Sequence, residues 1–110
     1  MKNNEVVLIG NLTKDPEYRA IGTEGKELMG LRIAVNHKVK DGPEETLFMD
    51  VTAFGFHVTY AKNISLSKGD RVFIRGRLQE RSWVDQNGMK QYKVGVVPDT
   101  FYKCVLESRV

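Results

Sequence analysis

The chain has 110 residues, with 17 Lys and Arg against 14 Asp and Glu and a formal net charge of +3. That length supports one domain, residues 1–110, with a sizeable core, and 41% hydrophobic with 28% charged residues is ordinary for a globular protein and does not indicate disorder. No apolar run approaches the roughly 18 residues of a membrane span, MKNNEVVLIG lacks a signal-peptide core, and the single Cys104 excludes an internal disulfide framework. A cytoplasmic protein without a membrane partner is expected.

Alternating side chains mark strands through most of the sequence. EVVLIGNL reads as a first strand, apolar on both faces. LTKDPEYRAIGTEGKE holds Asp15-Pro16, Gly22 and Gly25 and reads as turn and loop. In ELMGLRIAVNHK, Met29, Leu31, Ile33 and Val35 point inward, leaving Arg32, Asn36 and Lys38 on the other side. KVKDGPEE is a polar hairpin loop. TLFMDVTAFG is the third strand, with Leu47, Met49, Val51 and Ala53 inward and Phe48 and Phe54 outward beside Asp50 and Thr52. Two aromatic rings on the polar side of a strand ask for a partner.

FHVTYAKNISLSKG breaks the alternation. Val58, Ala61 and Ile64 recur at helical spacing, and Gly69 is placed to end the segment in a left-handed conformation. DRVFIRGRLQERSWV is a long fourth strand and MKQYKVGVV the fifth. Pro98 interrupts the pattern, and DTFYKCVLESRV adds a final short strand or an interface segment. One helix between the third and fourth of five strands is the order of an OB-fold, an all-β Greek-key barrel, here with an extended strand 4–5 hairpin.

The hairpin is chemically unusual. Asn87-Gly88 suits a two-residue type I′ turn, which would set Asp85 against Lys90, Trp83 against Tyr92 and Arg81 against Val94. One face would then carry Arg75, Arg77, Gln79, Arg81 and Trp83, joined by Lys90 and Tyr92. From Arg71 to Lys93 six basic residues stand against Glu80 and Asp85. Cations concentrated this way suit a polyanion, and a solvated hairpin edge is the alternative. Catalytic patterns do not emerge. His37 and His57 lie far apart, Cys104 has no cysteine partner for zinc, and neither a phosphate loop nor a Gly-x-Ser-x-Gly elbow occurs. Glu44-Glu45 falls in the loop. Neither an enzyme, a metal nor a cofactor is expected.

VVLIGNLTKDPEYR, LRIAVNHKVKDG, TLFMDVTAFG, SKGDRVFIRGRLQERSWVDQNGMKQY and VVPDTF, in that order, resemble the bacterial single-stranded DNA-binding proteins of the SSB type. The resemblance implies an OB barrel, a homotetramer with a dimer as the alternative, and single-stranded DNA as partner without strong sequence preference. RNA is a physically close substitute. It implies base stacking on Phe48, Phe54 and Trp83, with Tyr92 added from the hairpin face. The expected phosphate contacts are Arg32, Lys38, Lys68, Arg75, Arg77, Arg81, Lys90 and Lys93.

Some positions depart from the family pattern. Val39 stands where the family often has an aromatic residue, Asp50 would repel phosphate, and Phe56 replaces a commonly polar or basic residue. The sequence ends at ESRV, without the Gly/Pro-rich linker and acidic tip that recruit replication and repair enzymes. The expectation is a truncated or tail-less version. The alternative is a primosomal, PriB-like adaptor acting mainly through replication or primosome proteins.

Overall fold

Alternation in the sequence becomes six strands and one helix in the computed structural model, which describes residues 2–105. In chain order these are β1 (Val6–Leu12), β2 (Glu17–Ile21), β3 (Lys26–Lys38), β4 (Glu44–Phe54), α1 (Phe56–Asn63), β5 (Arg71–Val84) and β6 (Lys90–Lys103). Strand order runs β1-β5-β6-β4-β3-β2, and a β1–β3 pairing closes five of the strands into a barrel. Closure rests on short contacts: Asn11 and Leu12 against Ala34 and Ile33, and the parallel pair Val51–Val96 between β4 and β6. This is the Greek-key barrel with one helix before the long hairpin that the residue pattern predicts.

One parity of each barrel strand fills the core, except that β6 changes parity between Val96 and Phe101. Leu12, Met29, Leu31, Ile33, Val51, Ala53, Val72, Ile74, Val96 and Phe101 are buried, and α1 adds Val58 and Ala61. Burying a side chain of this size contributes roughly 1.5–3 kcal/mol. Tyr60 of α1 packs edge-on against Phe101 and accepts the Lys103 amide at 2.9 Å, joining helix to β6. Leu47, expected inward, stays half-exposed. It pairs with Val35, where the β3–β4 ribbon outruns the closed barrel and has no opposite wall.

Three other expectations are corrected. The predicted loop after β1 contains β2, which pairs with the free edge of β3 from Glu17–Gly30 to Ile21–Lys26. Turn residues on both sides hide its short alternation, in which Tyr18 faces the core and Arg19 the outside. The helix ends at Asn63, well before Gly69. Ser65 takes the left-handed conformation at φ 53°, and its amide donates to the Lys62 carbonyl while that of Leu66 donates to Ala61. That pattern satisfies the last helical carbonyls and tucks buried Leu66 beneath them. Pro98 does not end the last strand, which continues to Lys103. Residues 106–110 of the expected final segment lie outside the described residues.

Pro98 is accommodated by a bulge. The β5–β6 ladder steps from Arg75–Thr100 to Gly76–Pro98, leaving Asp99 as the extra residue. A Cβ on Gly76 would lie 2.1 Å from the Val97 carbonyl oxygen, a backbone atom that cannot rotate away. Gly76→Ala is expected to lower stability by about 1–3 kcal/mol, the range of an overpacked site. Gly30→Ala, whose Cβ would meet only the Glu17 oxygen at 3.9 Å, serves as the tolerated comparison. Equal urea midpoints for the two variants would show that the bulge yields freely.

Candidate nucleic-acid interface

The sheet face turned away from the core is assembled from neighbouring rows. Across β4 and β3, Phe48 pairs with Ala34, Asp50 with Arg32, Thr52 with Gly30 and Phe54 with Leu28. Strand β2 extends the last two rows with Glu17 and Arg19. Phe48 is 52% exposed and Phe54 44%, six residues apart on one strand, or roughly 20 Å at the rise of a β-strand. Between the rings, Lys14, Arg19, Arg32, Arg81 and Lys93 border a groove of about 440 Å³, with Glu17 and Asp50 as its acids.

Asp50 organises the middle of this groove. Its carboxylate accepts from Arg32 Nη1 at 2.8 Å and meets Lys93 Nζ at 2.5 Å. Burial pushes the carboxyl up, but the hydrogen bonds and charges of Lys93 and Arg32 outweigh it and hold Asp50 below its ordinary value. Arg32 also lies 5.5 Å from the centre of the Phe48 ring, within cation–π range. Asp50 is therefore not the uncompensated anion that its position in the sequence suggests. It gathers two cations from β3 and β6 beside an exposed ring.

The hairpin register differs from the expected one by a single residue. Arg81 pairs with Lys93, Ser82 with Tyr92, Trp83 with Gln91 and Val84 with Lys90. The turn is a three-residue loop closed by the Asp85 amide donating to Met89 O at 2.9 Å. Gly88 takes φ 77°, as the left-handed position of such a loop requires. Asp85 Oδ1 accepts the Met89 and Asn87 amides, while Oδ2 accepts Gln91 Nε2. These bonds, Met89's first, hold the Asp85 carboxyl below its ordinary value. The aspartate thus supplies the turn that Asn-Gly alone was expected to make.

A one-residue slip moves side chains to the opposite face of a ribbon. Tyr92 and Lys90 are consequently not on the face of Trp83; they stand on the other side, with Lys90 Nζ 5.5 Å from the Tyr92 ring. Lys93 and Gln91 take their places beside Arg81 and Trp83, which is 48% exposed.

The remaining predicted cations are dispersed. Arg77 pairs with Val97, and Lys38 lies opposite Glu44 at the end of β3. Arg75 sits between Val7 and Thr100, donating to Thr100 Oγ1 at 3.2 Å. Lys68 lies in the α1–β5 connection, where its amide donates to Asp15 Oδ1. Neither Arg75 nor Lys68 borders the groove. Lys14 and Arg19 do, although both fell in the segment read as loop. The signal that could have found Arg19 was the alternation of Tyr18 and Ala20 against Arg19 and Ile21.

Residues 3–103 match the Single-strand binding protein family. The chain is similar to the single-stranded DNA-binding protein of Wolinella succinogenes, 41% identical over 101 residues that cover 88% of this chain and 61% of the relative. It is also 35% identical over 103 residues to the protein of that name from Rickettsia felis, covering 89% of this chain and 67% of the relative. The chain thus spans less than two thirds of the Wolinella protein. Among solved structures, the Plasmodium falciparum SSB complex with ssDNA has the same fold, with a TM-score of 0.82 and 18% identity. The match covers 96% of this chain and 97% of that one, and the shared fold is the OB barrel.

The Asp50 network has a pH signature. Its carboxyl has a lower pKa folded than unfolded, so the associated stability is present above the unfolded value near 3.8 and is lost as pH falls through the folded value. Asp50→Asn lacks this dependence. The stability difference between wild type and Asp50→Asn, measured by urea unfolding, should shrink between pH 7 and pH 3. A constant difference would mean that the ion pairs do not persist in solution.

Proposed function

The chain belongs to the single-strand binding protein family, and from that premise we propose that its outer sheet face binds single-stranded DNA without strong sequence preference. Its role would lie in replication, recombination or repair, as a binding protein rather than an enzyme. The observation that carries the reading is the trio of exposed rings, Phe48, Phe54 and Trp83, on strands whose cations border one groove. Unpaired bases offer flat faces of similar character, and each one stacked on an aromatic ring contributes about 1–3 kcal/mol whatever its identity.

Arg19, Arg32, Arg81 and Lys93 meet the phosphates in this reading, with Arg77 and Lys38 as flanking contacts. Displaced counterions make such binding strongly salt-dependent. A duplex hides its base faces and is therefore the poorer ligand, whereas single-stranded RNA presents the same faces and charges. Phosphate approaching the groove competes with Asp50 for Arg32 and Lys93, so the acid limits affinity while keeping both cations in position.

A second copy of the chain is the partner proposed for the opposite flank. Val7 and Ile9 of β1 are exposed there, and Ile9 pairs with Phe73, whose ring stacks on Tyr102 at 4.9 Å. Strand β1 pairs with β5 along Val6–Asn11 but with β3 only at Asn11 and Leu12. Most of its other edge can therefore receive a strand. A tetramer or a dimer would cover this surface.

Two measurements test these readings. Titration with oligo-dT should quench Trp83 emission, and Phe48→Ala should weaken binding by about 1–3 kcal/mol. Arg81→Ala should reduce the single-strand salt slope by about 0.7, while Arg75→Ala leaves it unchanged. Equal affinity for duplex and single strand would refute the proposal. For assembly, light scattering should give a mass above the 12.5 kDa chain, reduced by Ile9→Lys. A wild-type mass equal to one chain would exclude the oligomer.

A further inference from the structure

Beyond Phe54 the outer face opens into a second hollow of about 500 Å³, and one of its walls is the ring of Phe56. Phe56 is 91% exposed, more than any other aromatic ring described. It does nothing evident for the fold: α1 is anchored by Val58 and Ala61. Phe54 closes the hollow on the side of the groove, Ile21 and Val58 give it an apolar lining, and Lys26 and Glu27 lie at its edge. Glu27 is paired with Lys62, whereas Lys26 reaches only Glu24, at 3.7 Å and with both side chains about three-quarters exposed.

An apolar hollow between two phenylalanines, with an available lysine beside it, suits a flat ring on an anionic chain. We propose that it is an additional nucleobase subsite, in which the base following the one on Phe54 stacks on Phe56 and its phosphate meets Lys26. This rests on the single-strand reading above and extends it. The platform continues around the end of β4 onto the first residue of α1, lengthening the segment of strand that one barrel holds. A second wall formed by Ile21 explains why β2 matters here, since a plain loop at that position would leave the hollow open.

The test follows Trp83 emission, which reports binding from outside the hollow, with oligo-dT from about 4 to about 16 nucleotides, the span of site sizes for one such barrel. Phe56→Ala should bind the longer oligonucleotides about five- to tenfold more weakly, the lower end for one stacked base, and the shortest with unchanged affinity. Phe56→Leu should not restore the loss, and abasic nucleotides at both ends of the oligonucleotide should abolish the difference between wild type and Phe56→Ala. Wild-type affinity of Phe56→Ala at every length would overturn the subsite and leave the single-strand reading intact. So would full rescue by leucine, which marks a general apolar contact, or a loss that persists with abasic ends. Absence of any Trp83 quenching in the wild type would refute the parent reading itself.

Discussion

Packing inside the barrel is the constraint from which the interface follows. Met29, Ile33, Val51, Val72, Ile74 and Val96 are almost wholly buried, and each occupies one parity of its strand. Because successive side chains in a strand point to opposite faces, filling the barrel leaves Arg32, Phe48, Asp50, Phe54 and Arg81 no inward alternative. The rings are exposed by the same geometry that buries their neighbours. A Phe or Trp left about half-exposed forgoes much of its burial energy in the isolated chain, which is why a flat partner is the physical counterpart of this face.

The proposed binding face would combine two interactions with different demands. Stacking needs only an accessible ring and tolerates any base, whereas a phosphate contact needs a cation held at a workable distance. Asp50, on β4 between them, supplies that positioning by drawing together Arg32 of β3 and Lys93 of β6, two strands that do not pair with each other. Ion pairs that remain open to solvent on one side, as these do, contribute little to stability, on the order of 1 kcal/mol. Their effect here is on where the cations rest. The same arginine lies over Phe48, so charge and ring form one local unit rather than separate patches.

The hairpin shows how little separates one face from another. Asp85 accepts two amides of its own turn and thereby favours a three-residue loop over the two-residue turn suggested by Asn-Gly. The resulting slip of one residue exchanges Tyr92 and Lys90 for Gln91 and Lys93 on the side of Trp83. Nothing in the core opposes it, because the outer half of β5 and β6 projects beyond the barrel and is exposed on both faces. Register there is set by the turn, and the bulge at Asp99 reconciles it with the barrel half of the ladder, where Arg75 pairs with Thr100.

Alternation in β3 and β4 is a property of the chain, and so the barrel strands, the core positions Met29, Leu31, Ile33, Val51 and Ala53, and the outward direction of Phe48 and Phe54 were legible without coordinates. The ordered motifs likewise carried the family resemblance. Tertiary structure decided which cations share a groove, because Arg19, Arg32, Arg81 and Lys93 lie on four different strands and meet only through pairing and barrel closure. It also decided that a segment rich in turn residues becomes β2, since the edge of β3 that receives it exists only once β3 has folded. The exchange of Tyr92 for Lys93 belongs to the same class: hydrogen bonds within a turn fix register, and a two-residue periodicity reads equally well in either register.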